Sequence, residues 1–137
     1  MDADVLFASA ASPLSHSAGQ VLLTLSEITL IDGLTSALAV EECRRNLDQK
    51  LPDARKTFDV LLQRTLSVVP APSESEVYRM ADRADWKDVP HLVTAVQQQC
   101  RFLVTYNTAD YTPGHPAVTI LRPGDFLRSV RDHLRRM

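Results

Sequence analysis

The sequence has few cysteines, few glycines and no long uncharged hydrophobic run, and each shortage excludes a class of protein. Two cysteines, Cys43 and Cys100, are too few for a disulfide framework, so we expect a reducing, cytoplasmic setting. The sequence has only four glycines and contains no glycine-rich phosphate-binding loop. Because no window of about 20 residues is free of charge, we expect no membrane span. The acidic start, with Asp2 and Asp4, also predicts no signal peptide.

The chain has the composition of one ordinary globular domain. It has 137 residues, is 45% hydrophobic and 23% charged, and has a formal net charge of -2. We therefore predict a single domain over residues 1–137 with a hydrophobic core. The segment 122–137 is basic, with five arginines against Asp125 and Asp132. It is either a solvated helix face or a weak patch that attracts phosphate groups.

Short apolar runs alternate with segments of helical periodicity along the chain. Strands are predicted at residues 5–7, 28–31, 66–69, 102–105 and 118–121. Helices are predicted at residues 18–26, from 35 or 36 to about 48, around 58–61, and at 74–84, 90–99 and 124–136. Strands separated by helices favour an α/β sandwich with a mostly parallel sheet.

Polar residues follow or flank several of these predicted strands. They are Asp2, Asp4, Glu41, Glu42, Asp88, Asn107 and Asp110. In an open parallel sheet, ligands bind beyond the carboxyl ends of the strands, so carboxylates from distant segments can converge there. Such a cluster suits a hard divalent cation, which can activate water and neutralise charge on a phosphodiester.

Each candidate also has a plain structural explanation. Asp88 is in place to cap the N-terminus of the helix that follows it, and Asn107 and Asp110 suit an ordinary turn. His91 is predicted to lie on the surface of that helix, and Trp86 either packs on the core, the favoured interpretation, or stacks on a base.

Two further patterns concern the remaining histidines and the cysteines. The four histidines, at positions 16, 91, 115 and 133, are too scattered to indicate a zinc site. Both cysteines are expected to be small core residues.

Five segments, taken in order, resemble the motifs of the PIN domain, and within it those of the VapC-like toxin ribonucleases. They are residues 2–6 (DADVL), 36–42 (SALAVEE), 88–95 (DVPHLVTA), 103–111 (LVTYNTADY) and 120–127 (ILRPGDFL). In the second motif the family's acid falls six residues after the serine, which selects Glu42 over Glu41. The order of the motifs, more than any single one, supports the resemblance.

The resemblance implies a three-layer α/β/α sandwich and endonucleolytic cleavage of RNA by metal-activated water. It implies Mg²⁺ or Mn²⁺ held by Asp2, Glu42 and Asp88, with Asn107 as a weaker fourth contributor that would orient a metal-bound water. Supporting residues would be Ser36, Thr105 and Asp110. Arginines of the tail would guide the RNA. Such toxins commonly pair with an antitoxin protein and commonly form homodimers.

Two other functions stay open at this point. The pair Asp2 and Asp4 on one loop is also typical of haloacid-dehalogenase-like phosphatases, where it supplies a nucleophile and an acid/base. Alternatively, because Asn107 carries no charge, the chain is a non-catalytic PIN-like module that binds RNA or a protein.

Overall fold

The computed structural model describes residues 1–11 and 17–137, so His16 lies outside the described residues. The helices are α1 (Ala3–Ala11), α2 (Ala18–Glu27), α3 (Ala37–Lys50), α4 (Arg55–Thr65), α5 (Glu74–Arg79), α6 (Val89–Gln97) and α7 (Pro123–Arg135). The strands are β1 (Leu34–Ser36), β2 (Ser67–Val69), β3 (Phe102–Val104) and β4 (Thr119–Leu121). Short 3-10 helices span Pro52–Ala54 and Thr108–Tyr111.

The strands form two parallel pairs, and the first two residues of the sequence lie between them. β1 pairs with β2, and β3 pairs with β4. The backbone nitrogen of Met1 donates to the carbonyl of Leu34 at 2.9 Å, and that of Asp2 donates to the carbonyl of Val104 at 3.0 Å. Asp2 is thereby placed between β1 and β3, close to the point where β3 ends. The predicted α/β class with parallel pairing is confirmed.

The prediction of a strand at residues 5–7 is wrong, because these residues belong to α1. Its buried residues, Ala3, Val5, Leu6, Ser9 and Ala10, form one helical stripe. This stripe packs against α2, α3 and α4. Three consecutive apolar residues are too short a pattern to distinguish a strand from a buried helix segment.

The prediction of a strand at residues 28–31 is also wrong, because this segment ends α2. Thr29 has a left-handed backbone with φ of 62°. Its N–H donates to the carbonyl of Ser26, and the N–H of Leu30 donates to the carbonyl of Leu25. These two bonds are those of a Schellman C-cap. The strand itself begins later, at Leu34.

Most of the other predicted elements are confirmed with shifted bounds. Ser36 caps α3 as expected, since its hydroxyl accepts a hydrogen bond from the N–H of Ala39. The strands near residues 66, 102 and 118 are present but only three residues long. The helix predicted over 74–84 ends at Arg79.

The hydrophobic core is formed by the inner faces of the helices. Cys43 is fully buried in it, as predicted, together with Leu6 and Leu47. Trp86, in contrast, is 83% exposed, so the expectation that it packs on the core is wrong. Among the described helices, none combines the length and the apolar character needed to cross a membrane.

Candidate metal centre

Asp2 is a buried carboxylate with a fixed orientation. Its side chain is only 8% exposed. One oxygen, Oδ2, accepts hydrogen bonds from the Thr105 hydroxyl and the Tyr111 hydroxyl, both at 2.8 Å. The other, Oδ1, accepts from the backbone N–H of Ala3 at 2.6 Å. These three hydrogen bonds lock the carboxylate in place at the end of β3.

Asp88 occupies the N-cap position of α6, but its side chain makes no cap hydrogen bond. It is half-buried, and one of its oxygens lies within 4.8 Å of ligand atoms of both Asp2 and His91. Burial, and then the charge of Asp2, raise the pKa of Asp88 to about 6. Capping therefore does not account for this aspartate, whose carboxylate lies beside that of Asp2.

His91 is buried, so the prediction that it lies on the helix surface is wrong. Its side chain is 6% exposed, and its Nε2 lies 3.8 Å from Oδ1 of Asp2 and 3.5 Å from Oε2 of Glu42. Burial alone would lower the pKa of His91, but the carboxylates of Glu42, Asp2 and Asp88 outweigh it and raise the pKa above its ordinary value. The imidazole thus stands among three acids.

Glu42 is the more exposed member of this group. Its side chain is 46% exposed, and its contact with the other acids runs through His91. Its neighbour Glu41 is exposed. The structure therefore brings Asp2, Glu42 and Asp88, the three acids named from the sequence, around one imidazole.

Asn107 belongs to a second, adjoining group around Asp4. Its side-chain amide donates to Oδ2 of Asp4 at 3.1 Å, and the backbone N–H of Tyr106 donates to the same oxygen at 3.0 Å. Burial, and then Asp2, raise the pKa of Asp4 to about 6. The amide nitrogen of Asn107 is thereby engaged with Asp4, while its backbone N–H donates to the Thr105 hydroxyl.

The three supporting residues differ in what they contact. Thr105 is fully buried and bonds Asp2 directly. The hydrogen bond that Ser36 makes through its hydroxyl is the cap of α3. Asp110 accepts a hydrogen bond from the N–H of Asp85 through its backbone carbonyl, which ties the segment before Asp88 to the 3-10 helix Thr108–Tyr111. Its charge also helps to raise the pKa of Asp88.

The sequence indicates Asp4 as one of the converging polar residues but not as part of the metal site, and it does not indicate His91 or Tyr111 as site residues. For His91 a signal existed, because Asp88 and His91 stand three residues apart on a helix and so share a face. The Tyr111 contact has no local signal, since it joins residues 109 positions apart.

The residues present fit a divalent cation. The ligand set contains carboxylate oxygens and one imidazole, and the ligand atoms of Asp2, Asp88 and His91 all lie within 4.8 Å of one another. Two ligands at about 2.1 Å from one ion are separated by about 3.0 Å when adjacent and about 4.2 Å when opposite. In addition, Oδ1 of Asp4 is buried with no hydrogen-bond partner among the described residues. A cation would offset this concentration of negative charge.

Comparison with known proteins places the chain in a family. Residues 1–109, which contain the whole acidic cluster, match the PIN domain. No curated protein and no solved structure matches the chain. The match assigns the chain to PIN domains rather than to haloacid dehalogenases. The protein therefore belongs to the PIN domain family, whose members are generally metal-dependent nucleases.

Proposed function

We propose that the protein is a metal-dependent endoribonuclease. The observation that carries this proposal is the meeting of Asp2 and Asp88, from segments 86 residues apart, beside Glu42 and His91. Membership of a family of metal-dependent nucleases supports it. Mg²⁺ and Mn²⁺ both suit carboxylate ligands, so either can serve as the cofactor.

In this proposal Asp2, Glu42 and Asp88 hold the divalent ion. When bound, the ion would supply an activated water and neutralise charge on the scissile phosphodiester. Thr105 and Tyr111 fix the orientation of Asp2 through their hydroxyls. Asn107 orients the attacking water, as the family resemblance implies, from a position next to Asp4.

The basic C-terminal segment provides a surface for the phosphate backbone. Helix α7 exposes arginines at positions 128, 131 and 135. On a chain with a net charge of -2, such a local patch attracts RNA to one side of the molecule.

We further propose the more specific role of a VapC-like toxin. The five motifs, spread over residues 2–127, support it. In this role, residues 1–137 form a single PIN-like domain with the three-layer sandwich fold. The protein is cytoplasmic and forms a homodimer, and a cognate antitoxin blocks its site. We expect expression of the protein to arrest growth, and co-expression of the cognate antitoxin to relieve that arrest.

The reaction is tested with a circular RNA. Because a circle has no ends, its conversion to a linear molecule reports endonucleolytic cleavage alone. We expect linear product with Mn²⁺ or Mg²⁺, none with EDTA, and none from a DNA circle of the same sequence. If well-folded protein binds the RNA circle but leaves it intact under all conditions, the non-catalytic binding module is the correct account.

A further inference from the structure

We propose that Nε2 of His91 is a direct ligand of the bound ion, and that this nitrogen makes the site prefer Mn²⁺ over Mg²⁺. This inference rests on the proposed function only in placing a divalent ion at the acidic cluster. It is independent of whether RNA is the substrate.

The spacing of the His91 nitrogen is the first argument. Nε2 lies 3.5 Å from Oε2 of Glu42 and 3.8 Å from Oδ1 of Asp2. Good hydrogen bonds from nitrogen to oxygen are about 2.7–3.2 Å long, so both distances are too long for a strong direct bond. They fall between the separations of about 3.0 Å and 4.2 Å expected for two ligands of one ion. His91 is thus spaced to share a cation with Asp2 and Asp88, whose ligand atoms lie within 4.8 Å of one another and of the imidazole, and Glu42 stands beside this group.

The His91 ring is also buried at the cluster. The side chain of His91 is 6% exposed, so its ring faces the acidic cluster rather than solvent. His91 stands in the first turn of α6, three residues after the N-cap residue Asp88. Side chains at this spacing lie on the same face of a helix. A buried imidazole needs a partner for its polar nitrogen, and here the neighbours of that nitrogen are carboxylates.

Ligand chemistry then separates the two candidate ions. Mg²⁺ is a hard cation that takes oxygen ligands and retains several waters. Imidazole nitrogen binds transition metals better, and affinity for them rises from Mn²⁺ along the first row. A site with two or three carboxylates and one imidazole therefore favours Mn²⁺ over Mg²⁺.

Pulsed electron paramagnetic resonance on the metal-free protein loaded with Mn²⁺ tests the contact directly. Coordinated ¹⁴N modulates the Mn²⁺ echo, and uniform [¹⁵N]histidine labelling of the wild-type protein changes that modulation only if the nitrogen comes from histidine. We expect ¹⁴N modulation in the wild type and in His133→Gln, a matched control at an exposed position on α7. We expect none in His91→Gln.

Equilibrium titration supplies the affinity readout. We expect the wild type to bind Mn²⁺ about 10-fold or more tightly than Mg²⁺, and His91→Gln to lose most of that difference. Bound Mn²⁺ without histidine modulation would overturn the role of His91 and leave the carboxylate site intact. Failure of the wild type to bind either ion would overturn both this inference and the proposed metal-dependent reaction. Because the labelling experiment uses the wild type, its result does not depend on the folding of any variant.

Discussion

At the residue scale, the most tightly held group of the site is the Asp2 carboxylate. Of the residues that donate hydrogen bonds to it, Tyr111 is the most distant along the sequence. Tyr111 is buried, and its hydroxyl donates to Oδ2 of Asp2 at 2.8 Å. Burial, and then the charges of Asp2 and Asp88, raise the pKa of this hydroxyl above its ordinary value, so it remains a donor. Tyr111 therefore acts as a positioning residue for a metal ligand.

Tyr111→Phe removes this hydrogen bond but keeps the ring. Because a hydrogen bond to a charged group contributes about 1.5–3 kcal/mol, we expect a loss of this size in the free energy of unfolding, measured in urea. We also expect weaker Mn²⁺ binding, because Asp2 loses one of its fixed contacts. Tyr78→Phe is the control, since Tyr78 is 82% exposed and should change neither quantity. Equal behaviour of the two variants would contradict this role of Tyr111.

The Asp88 carboxylate is expected to lower stability in the metal-free protein. Its pKa is raised to about 6, so the folded state binds a proton more tightly than the unfolded state. Its contribution to the free energy of unfolding therefore falls as the pH rises from about 4 to about 6, and the full cost is present above that range.

Asp88→Asn removes the charge and hence this cost. In EDTA at about pH 7.5 we expect the variant to be more stable than the wild type by about 1 kcal/mol, a value reduced because Asp88 is partly exposed and screened by solvent. At about pH 4 the difference should nearly vanish, since both side chains are then neutral. Thermal unfolding at the two pH values measures it. A gain of the same size at both would show that charge is not the cause.

The sequence indicates these acids better than it indicates their partners. Asp2 and Asp88 stand next to predicted strand or helix ends, where local patterns are informative. The bonds from Thr105 and Tyr111 to Asp2 join residues more than 100 positions apart, so no local pattern specifies them. The sequence places His91 on the surface wrongly, because one histidine in an apolar helix gives the same pattern whether its ring faces solvent or a buried site.

At the scale of elements, the C-terminus of α2 contains the main local conflict in the chain. Thr29 adopts a left-handed backbone with φ of 62° in a Schellman cap, where glycine is usual. A β-branched residue is strained there by about 1–2 kcal/mol. The strand-like composition of residues 28–31 predicts the wrong element because hydrogen bonds to Leu25 and Ser26 override it.

Thr29→Gly should relieve this strain. Part of the gain is offset by the greater freedom of glycine in the unfolded chain, so we expect a net increase of about 0.5–1 kcal/mol in the free energy of unfolding. Thr24→Gly, in the body of the same helix, should instead lower it by the difference in helix propensity between threonine and glycine, about 0.3 kcal/mol. Urea unfolding of both variants measures the difference, and destabilisation by Thr29→Gly would contradict the assignment of strain.

The elements that the sequence predicts well are those with long periodic patterns. Helices α3 and α7 have 14 and 13 residues; apolar spacing predicts α3, and Pro123 predicts the start of α7. The sequence does not indicate α1, because the apolar run at residues 5–7 is too short to show a helical period and reads equally well as a strand. The strands, at three residues each, are set by pairing across the sheets rather than by local preference.

At the scale of the whole molecule, the acidic cluster joins segments that otherwise belong to separate sheet pairs. Asp2 lies between β1 and β3, Glu42 is on α3 after β1, and Asp88 and His91 begin α6 before β3. An ion bound by these residues connects the two halves of the fold, so metal binding and global stability should be coupled.

We therefore expect Mn²⁺ to raise the melting temperature of the metal-free protein. At 100 times its dissociation constant the ion adds about 2.7 kcal/mol, which corresponds to a shift of about 8–10 °C for a chain of this size. Asp88→Asn should lose most of this shift, measured by calorimetry with and without Mn²⁺. A shift that is unchanged in Asp88→Asn would place the ion elsewhere.

The central claim is that the ion at Asp2 and Asp88 drives RNA cleavage, and one measurement tests it most directly. The rate of linearisation of a circular RNA is measured against Mn²⁺ concentration for the wild type, Asp88→Asn and Asp53→Asn, the last an exposed aspartate in the short 3-10 helix Pro52–Ala54. We expect metal-dependent cleavage by the wild type and by Asp53→Asn. We expect a loss of at least about 100-fold in Asp88→Asn, or nearly 3 kcal/mol of transition-state stabilisation. Wild-type rates in Asp88→Asn, or cleavage that persists in EDTA, would contradict it.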